Sequence, residues 1–285
     1  MLPSMTKASS FIKVNLIELN SCKKIVVTIS SMPQTERPQI PWLDTDSLLP
    51  PPEFAQKSGA LAGLVAAGGG LSVTRLREAY QHGIFPWFSQ GQPVLWWSPD
   101  PRMVLHTAEF RLHRSLRKTL RKFKDDANCD IRFDSSFHEV IRHCANTPRL
   151  GQPGTWIVPE MISAYEALHL AGLAHSIETW MNGQLVGGLY CVAIGHTVFG
   201  ESMFAHQPDA SKIALAALVA FARKHQISWI DCQQNTKHLA SLGAIEIPRA
   251  EFLQKISQAS TETVNTWQFD ASYWNLLMPQ KVIAP

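Results

Sequence analysis

The stretch Ile227 to Gln233, Ile-Ser-Trp-Ile-Asp-Cys-Gln, ends a run of apolar β-formers on an acid, a thiol and an amide. Its composition predicts a short buried strand. A strand's period of two puts Asp231 and Gln233 on one face and Cys232 on the other. An acid beside an amide can orient a polar substrate or relay a proton. Equally, Asp231 can cap the turn that follows while Gln233 is solvated. Cys232, on the opposite face, reads as core and not as a nucleophile. The histidines are scattered, none in a ligand pattern with an acid, so no metal site is expected.

The elements that must hold this strand read as follows. Ser72 is a good N-cap for the periodic run Val73 to Tyr80, which Gly83 ends. Helices are expected from about Ser135 to Cys144 and from Pro159 to Ala171. His175 to Met181, Gln184 to Ile194 and Thr197 to Phe204 read as three consecutive antiparallel strands, with hairpin turns at Asn182-Gly183 and Gly195-His196. Gly187-Gly188 inside the second strand predicts a bulge or a close approach to its backbone. Pro208 to His225 is a long helix leading directly into Ile227, and Lys237 to Leu242, Ala244 to Ile247 and Ala250 to Ala259 follow as helix, strand and helix. A meander, a helix, a strand and further helices make an α+β layer around a central mixed sheet.

At 285 residues the chain accommodates one large domain or two unequal ones. No apolar run approaches the roughly 20 residues of a membrane span. Five cysteines without CxxC or metal spacing favour reduced thiols and a cytoplasmic location. Residues 1 to 31 mix apolar residues and lysines without period and read as disordered, or as an upstream extension with the functional start near Met32. Gly68-Gly69-Gly70 is a flexible turn and not a phosphate loop, because no Gly-Lys-Ser/Thr follows it.

The formal charge of +3 conceals a concentration: Arg111 to Lys124 carries seven Lys/Arg and no acid, so the rest of the chain is net acidic. Leu112, Leu116, Leu120 and Phe123 recur there at helical spacing while Arg114, Arg117, Lys118, Arg121 and Lys122 take the remaining surface. Such a face either binds phosphates or is a plain exposed helix; the lack of interleaved acids favours phosphates. The aromatic run Gly83-Ile84-Phe85-Pro86-Trp87-Phe88, followed by Leu95-Trp96-Trp97, is either a small domain's core or the wall of an apolar pocket.

The order of elements resembles the GNAT acyltransferase superfamily, in which a long helix follows a strand that splays from its neighbour. Gly83 to Phe88, Trp96-Trp97-Ser98-Pro99-Asp100-Pro101-Arg102, Gly154-Thr155-Trp156-Ile157, Gly200-Glu201-Ser202-Met203-Phe204 and Asp231-Cys232-Gln233 are together similar to the leucyl/phenylalanyl-tRNA-protein transferase family, from about residue 40 to 270. The chain departs from it at Gly70, where an acid is expected, at Cys191, where a third glycine is expected, and in its longer N-terminus.

That resemblance implies a small N-terminal α/β domain over 32–101 and a GNAT-like catalytic domain over 102–285. It implies transfer of Leu, Phe and, less well, Met from aminoacyl-tRNA to the amino terminus of proteins beginning with Arg or Lys, which marks them for degradation. The basic helix would meet tRNA phosphates. Trp87, Trp156, Leu189, Met203 and Tyr80 would form or border the pocket for the donor side chain or its terminal adenosine. Gln233 would contact the attacking amine, Asp231 would orient and polarise Gln233, and Glu201 would hold an ammonium. No cofactor is implied. Two other readings are an acetyl-CoA-dependent acetyltransferase, whose pyrophosphate needs a glycine-containing loop where this chain has Gln207 to Lys212 without glycine, and a non-catalytic RNA-binding module, which leaves Glu201, Asp231 and Gln233 unexplained.

Overall fold

A computed structural model of the chain describes residues 12–19, 22–29, 39–147, 157–259, 264 and 266–278. The chain divides into two compact units, Met1–Pro101 with Pro148–Ala164 and Ile247–Ser257, and Arg102–Thr147 with Tyr165–Glu246 and Gln258–Pro285.

The first unit carries strands β1 (Ile12–Leu19), β2 (Cys22–Ile29), β3 (Gln39–Leu43), β4 (Leu64–Gly68), β5 (Phe85–Pro86) and β6 (Leu95–Trp97), in the sheet order β1-β2-β3-β4-β6-β5. β1 and β2 pair as an antiparallel hairpin from Ile12↔Ile29 to Leu19↔Cys22. Of residues 1–31, read as disordered or as an upstream extension, the rest lie outside the described residues; these two segments are rich in Val and Ile, which favour extended backbone.

Helix α1 (Val73–Gln81) begins where Ser72 Oγ accepts the Arg75 N–H at 3.2 Å and ends at Gly83, whose φ is +68°. A Cβ on Gly83 would stand 2.8 Å from Leu253 and 2.9 Å from Phe252 of the helix Arg249–Gln258, so that close packing requires glycine. The aromatic run is core: Trp96 and Trp97 are fully buried, and their indole N–H groups donate to the Gly68 and Trp87 carbonyls at 2.9 and 2.7 Å. The expected flexible turn at Gly68-Gly69 is instead fixed, because Gly68 N–H donates to Val94 O and Gly69 N–H to Leu43 O.

The second unit contains β7 (Arg102–His106), β8 (Cys129–Phe133), β9 (Ala174–Met181), β10 (Gln184–Ile194), β11 (Thr197–Ala205), β12 (Trp229–Gln233) and β13 (Ile245–Ile247), in the order β13-β7-β12-β11-β10-β9-β8. Helices α2 (Arg114–Asp125), α3 (Phe137–Asn146), the part of α4 (Pro159–Leu170) from Tyr165 on, α5 (Ala210–Lys224) and α6 (Lys237–Ser241) intervene. β9, β10 and β11 form the antiparallel meander. The Asn182-Gly183 turn has positive φ at both residues, as a tight hairpin between twisted strands requires.

Glycine decides how closely α5 approaches this sheet. A Cβ on Gly187 would lie 2.4 Å from the Ala210 Cβ, so Gly187 faces the start of α5. Gly188 faces the other way, toward Val140 of α3 and the Phe204 ring. Alternation then turns Leu189 and Cys191 toward α5 and Tyr190 toward α3, where its ring meets Phe137 edge-on. α5 buries Ile213, Leu215, Leu218, Phe221 and its alanines in one cluster with Leu189, Cys191, Val198 and Ile230.

Candidate active site

The chain leaves β11, crosses through α5 and returns as β12, parallel to β11. The parallel pairing covers only Val198↔Ile230 and Phe199↔Asp231. Beyond those two pairs the ladder between them ends, which leaves a fork between the two strands. Each arm of the fork carries one extra residue. In β11 it is Glu201, since Tyr190 pairs with Ser202 and Cys191 with Gly200. In β12 it is Cys232, since Asp231 pairs with Val104 and Gln233 with Met103. Bulges re-aim side chains beside binding sites. The second one also breaks the simple alternation from which Asp231 and Gln233 are expected on one face. Gln233 has φ +61°, and the Gln234 N–H donates to Cys232 O at 2.7 Å. These are the marks of a γ-turn of the rare, strained hand.

The polar side chains at the fork form one chain of contacts. Arg102, the first residue of β7, donates Nε to Asp231 Oδ1 at 2.9 Å and Nη2 to Oδ2 at 2.6 Å. Both side chains are fully buried. Asp231 Oδ1 also accepts the Gln233 backbone N–H at 2.8 Å. The Gln233 amide donates Nε2 to Glu201 Oε1 at 2.8 Å, and Tyr165 Oη donates to Glu201 Oε2 at 3.1 Å. Asp231 and Gln233 are buried, whereas Glu201 is half-buried, so of the three acids and amides Glu201 offers most to solvent.

This arrangement differs from the expected one in a specific way. Asp231 does not meet the Gln233 side-chain amide. It fixes the Gln233 main chain, and Glu201 orients the amide. Sequence reasoning also missed Arg102 and Tyr165. A signal existed for the arginine: a carboxylate at the end of a buried strand needs a cation, and Arg102 opens the apolar run Met103-Val104-Leu105. Nothing in the sequence marked Tyr165.

Neither thiol near the fork is set up as a nucleophile. Burial, and secondly the Asp231 charge, push the Cys232 thiol far above its ordinary value. Burial, followed by Asp134 and Glu201, does the same to Cys191. Thiolate is the reactive form, so both stay inert near neutral pH.

The remaining expected site residues fall as follows. Leu189 and Met203 are cross-strand partners in β10 and β11, Leu189 buried and Met203 half-buried against the α5 core. Tyr80 is fully buried in the first unit, and Trp87, half-buried there, packs its ring edge-on against Trp97 at 5.5 Å. Trp156 lies outside the described residues. α2 buries Leu116, Leu120 and Phe123 and leaves Arg114, Lys118, Arg121 and Lys122 exposed with Arg117 half-buried. Among the described residues none of these five cations has an ion-pair partner.

Residues 104–257 match the family model described as leucyl/phenylalanyl-tRNA protein transferase, and residues 69–100 match the model of that family's N-terminal domain. The leucyl/phenylalanyl-tRNA--protein transferase of Polaromonas sp. is 62% identical over 84% of this chain and 94% of its own length. That of Albidiferax ferrireducens is 55% identical over 87% and 98%. This chain belongs to the leucyl/phenylalanyl-tRNA protein transferase family. It is an aminoacyltransferase, which sets aside the acetyl-CoA and non-catalytic readings. FemX shares 10% identity with this member of the family over 90% of this chain and 93% of its own, at a TM-score of 0.38. No helix among the described residues is long and apolar enough to cross a membrane.

Proposed function

We propose that the protein transfers leucine, phenylalanine and, less efficiently, methionine from aminoacyl-tRNA to the N-terminal α-amine of proteins beginning with Arg or Lys, marking them for degradation in the cytoplasm. The observation that carries this reading is the polar junction of Gln233 and Glu201 in the fork between β11 and β12. It is supported by membership of a family whose relatives are named for leucyl and phenylalanyl transfer from tRNA to protein.

An aminoacyl ester is already activated, and an α-amine of pKa about 7.7–8.0 is roughly a quarter neutral near pH 7.4. What the site must supply is placement of the amine and a home for charge. In this reading Glu201 holds the incoming ammonium by charge, and the Gln233 amide fixes the amine against the ester carbonyl. The amine nitrogen bonds to the carbonyl carbon, the carbon–oxygen bond to the terminal ribose breaks, and the ribose oxygen takes up the proton that the amine releases. That proton passes through the Glu201 carboxylate or the neighbouring ribose hydroxyl. In this reading transfer is direct, without an acyl-enzyme. Leu189 and Met203, cross-strand partners beside Glu201, border the donor's side chain or adenosine. An apolar pocket separates similar apolar side chains by only about 10–200-fold, in keeping with a donor set of several amino acids.

The test is a donor and acceptor panel. Leucyl-, phenylalanyl-, methionyl- and alanyl-tRNA are each offered with peptides that differ only in a first residue of Arg, Lys or Ala. Transfer of Leu and Phe, weaker transfer of Met, and none of Ala, to Arg and Lys peptides alone, is expected. Equal labelling of the Ala peptide would overturn the acceptor assignment.

A further inference from the structure

We infer that Arg102 is a positioning residue for the transfer reaction, acting through Asp231 on the backbone of Gln233. The inference rests on the reading that the Gln233–Glu201 junction is where the reaction occurs. Four observations carry it. Arg102 and Asp231 are 129 residues apart in sequence, yet their side chains make two parallel hydrogen bonds with no solvent exposure on either. A charge placed there without its counter-charge would be strongly disfavoured, so each fixes the other. Asp231 Oδ1 has a second task, accepting the Gln233 N–H at 2.8 Å. Gln233 stands at φ +61°, a region a glutamine avoids unless its surroundings impose it. From that conformation its amide reaches Glu201 on the other arm of the fork at 2.8 Å.

The sequence of cause is therefore Arg102 to Asp231 to the Gln233 main chain to the Gln233 amide. The bidentate geometry matters because a planar guanidinium locks the carboxylate's rotation, and the carboxylate's orientation sets where Oδ1 meets the N–H. It also removes Asp231 from consideration as a general base. Oδ1 receives two hydrogen bonds and Oδ2 a third, so the carboxylate is occupied in holding the turn.

A variant lacking only one partner leaves a buried charge and can fail to fold, so the test uses the pair. Arg102→Met with Asp231→Leu replaces the ion pair by apolar volume, an exchange that folded proteins tolerate well. Circular dichroism and urea unfolding establish that the double variant is folded, and steady-state transfer then gives kcat and KM for aminoacyl-tRNA. We expect kcat to fall by about 100-fold with KM changed by less than about threefold, the effect of a misplaced reactive group. A folded double variant with kcat within about threefold of the parent overturns the inference, as does a rise in KM alone. Should the double variant not fold, Arg102→Lys keeps the charge but loses the planar fork; it is expected to lose turnover in the same pattern, and unchanged kcat overturns the inference. Gln233→Ala is the control: if it retains full turnover, the site reading fails before Arg102 is at issue, whereas loss in Gln233→Ala beside full activity in the Arg102 variants sinks this inference alone.

Discussion

Gln233 and Glu201 stand on the two arms of a forked sheet, and a 2.8 Å hydrogen bond from the Gln233 amide to Glu201 Oε1 joins them. The β-strand pairing that would otherwise close this gap stops at Phe199 and Asp231. The polar contact thus occupies the place where ladder hydrogen bonds end.

Glu201→Gln keeps the shape and removes the charge. If Glu201 holds the acceptor's ammonium, the variant raises KM for an Arg-initiated peptide while KM for aminoacyl-tRNA stays near its parent value. The loss is about 1.5–3 kcal/mol in kcat/KM for the peptide, the size of a hydrogen bond to a charged group. Initial rates with each substrate varied in turn provide the check.

Breaking the buried ion pair from one side is costly. Arg102→Ala leaves Asp231 buried without its counter-charge and is expected to destabilise the protein by about 3–5 kcal/mol. Urea unfolding followed by circular dichroism reads this directly; a change below about 1 kcal/mol, the range of exposed pairs, contradicts it.

In the proposed function the cationic face of α2 meets tRNA phosphates and not the reacting ends. Replacing Arg114, Lys118, Arg121 and Lys122 by Gln should weaken tRNA binding and flatten its dependence on log salt by about 0.7–0.9 for each phosphate no longer neutralised. Transfer from a minimal aminoacyl-adenosine donor should be unaffected. Fluorescence titration of tRNA across a salt series measures the slope.

How much of the fold and the site is legible in the sequence follows from the range of each interaction. The meander, the long helix before the site strand and the Ser72 cap depend on neighbours a few residues away, and their patterns of two and 3.6 are plain. Gly187 is legible as a close approach because a glycine inside an apolar strand has few other reasons to be there, and Ala210 turns out to be what approaches it. The bulges at Glu201 and Cys232 are not legible. Each is a mismatch of register between two strands, and neither strand carries it alone. The Arg102–Asp231 pair is hidden for the same reason, since only the placement of β7 beside β12 brings the two together.

Stability should fall toward acid pH through three histidines. Burial, with His206 second for His143, Lys224 second for His225 and Lys212 for His238, lowers the pKa of all three in the folded state. Above their ordinary value of about 6.5 both folded and unfolded chains are unprotonated and nothing is lost. As pH falls below about 6.5, the unfolded chain binds protons that the folded one refuses, so stability declines until pH passes below the folded values. Urea midpoints at pH 7.5 and 5.5 test this, and His143→Gln should reduce the difference between them.

The most direct test is transfer itself, with labelled phenylalanyl-tRNA and an Arg-initiated peptide, measured for the parent and for Gln233→Ala, with and without ribonuclease. The parent should label the peptide, ribonuclease should abolish the label, and Gln233→Ala should reduce kcat by about 100-fold or more, the usual effect of removing one positioned polar group from a reacting centre. Labelling that survives ribonuclease, or a Gln233→Ala variant as fast as the parent, would contradict an aminoacyl transfer centred on the Gln233–Glu201 junction.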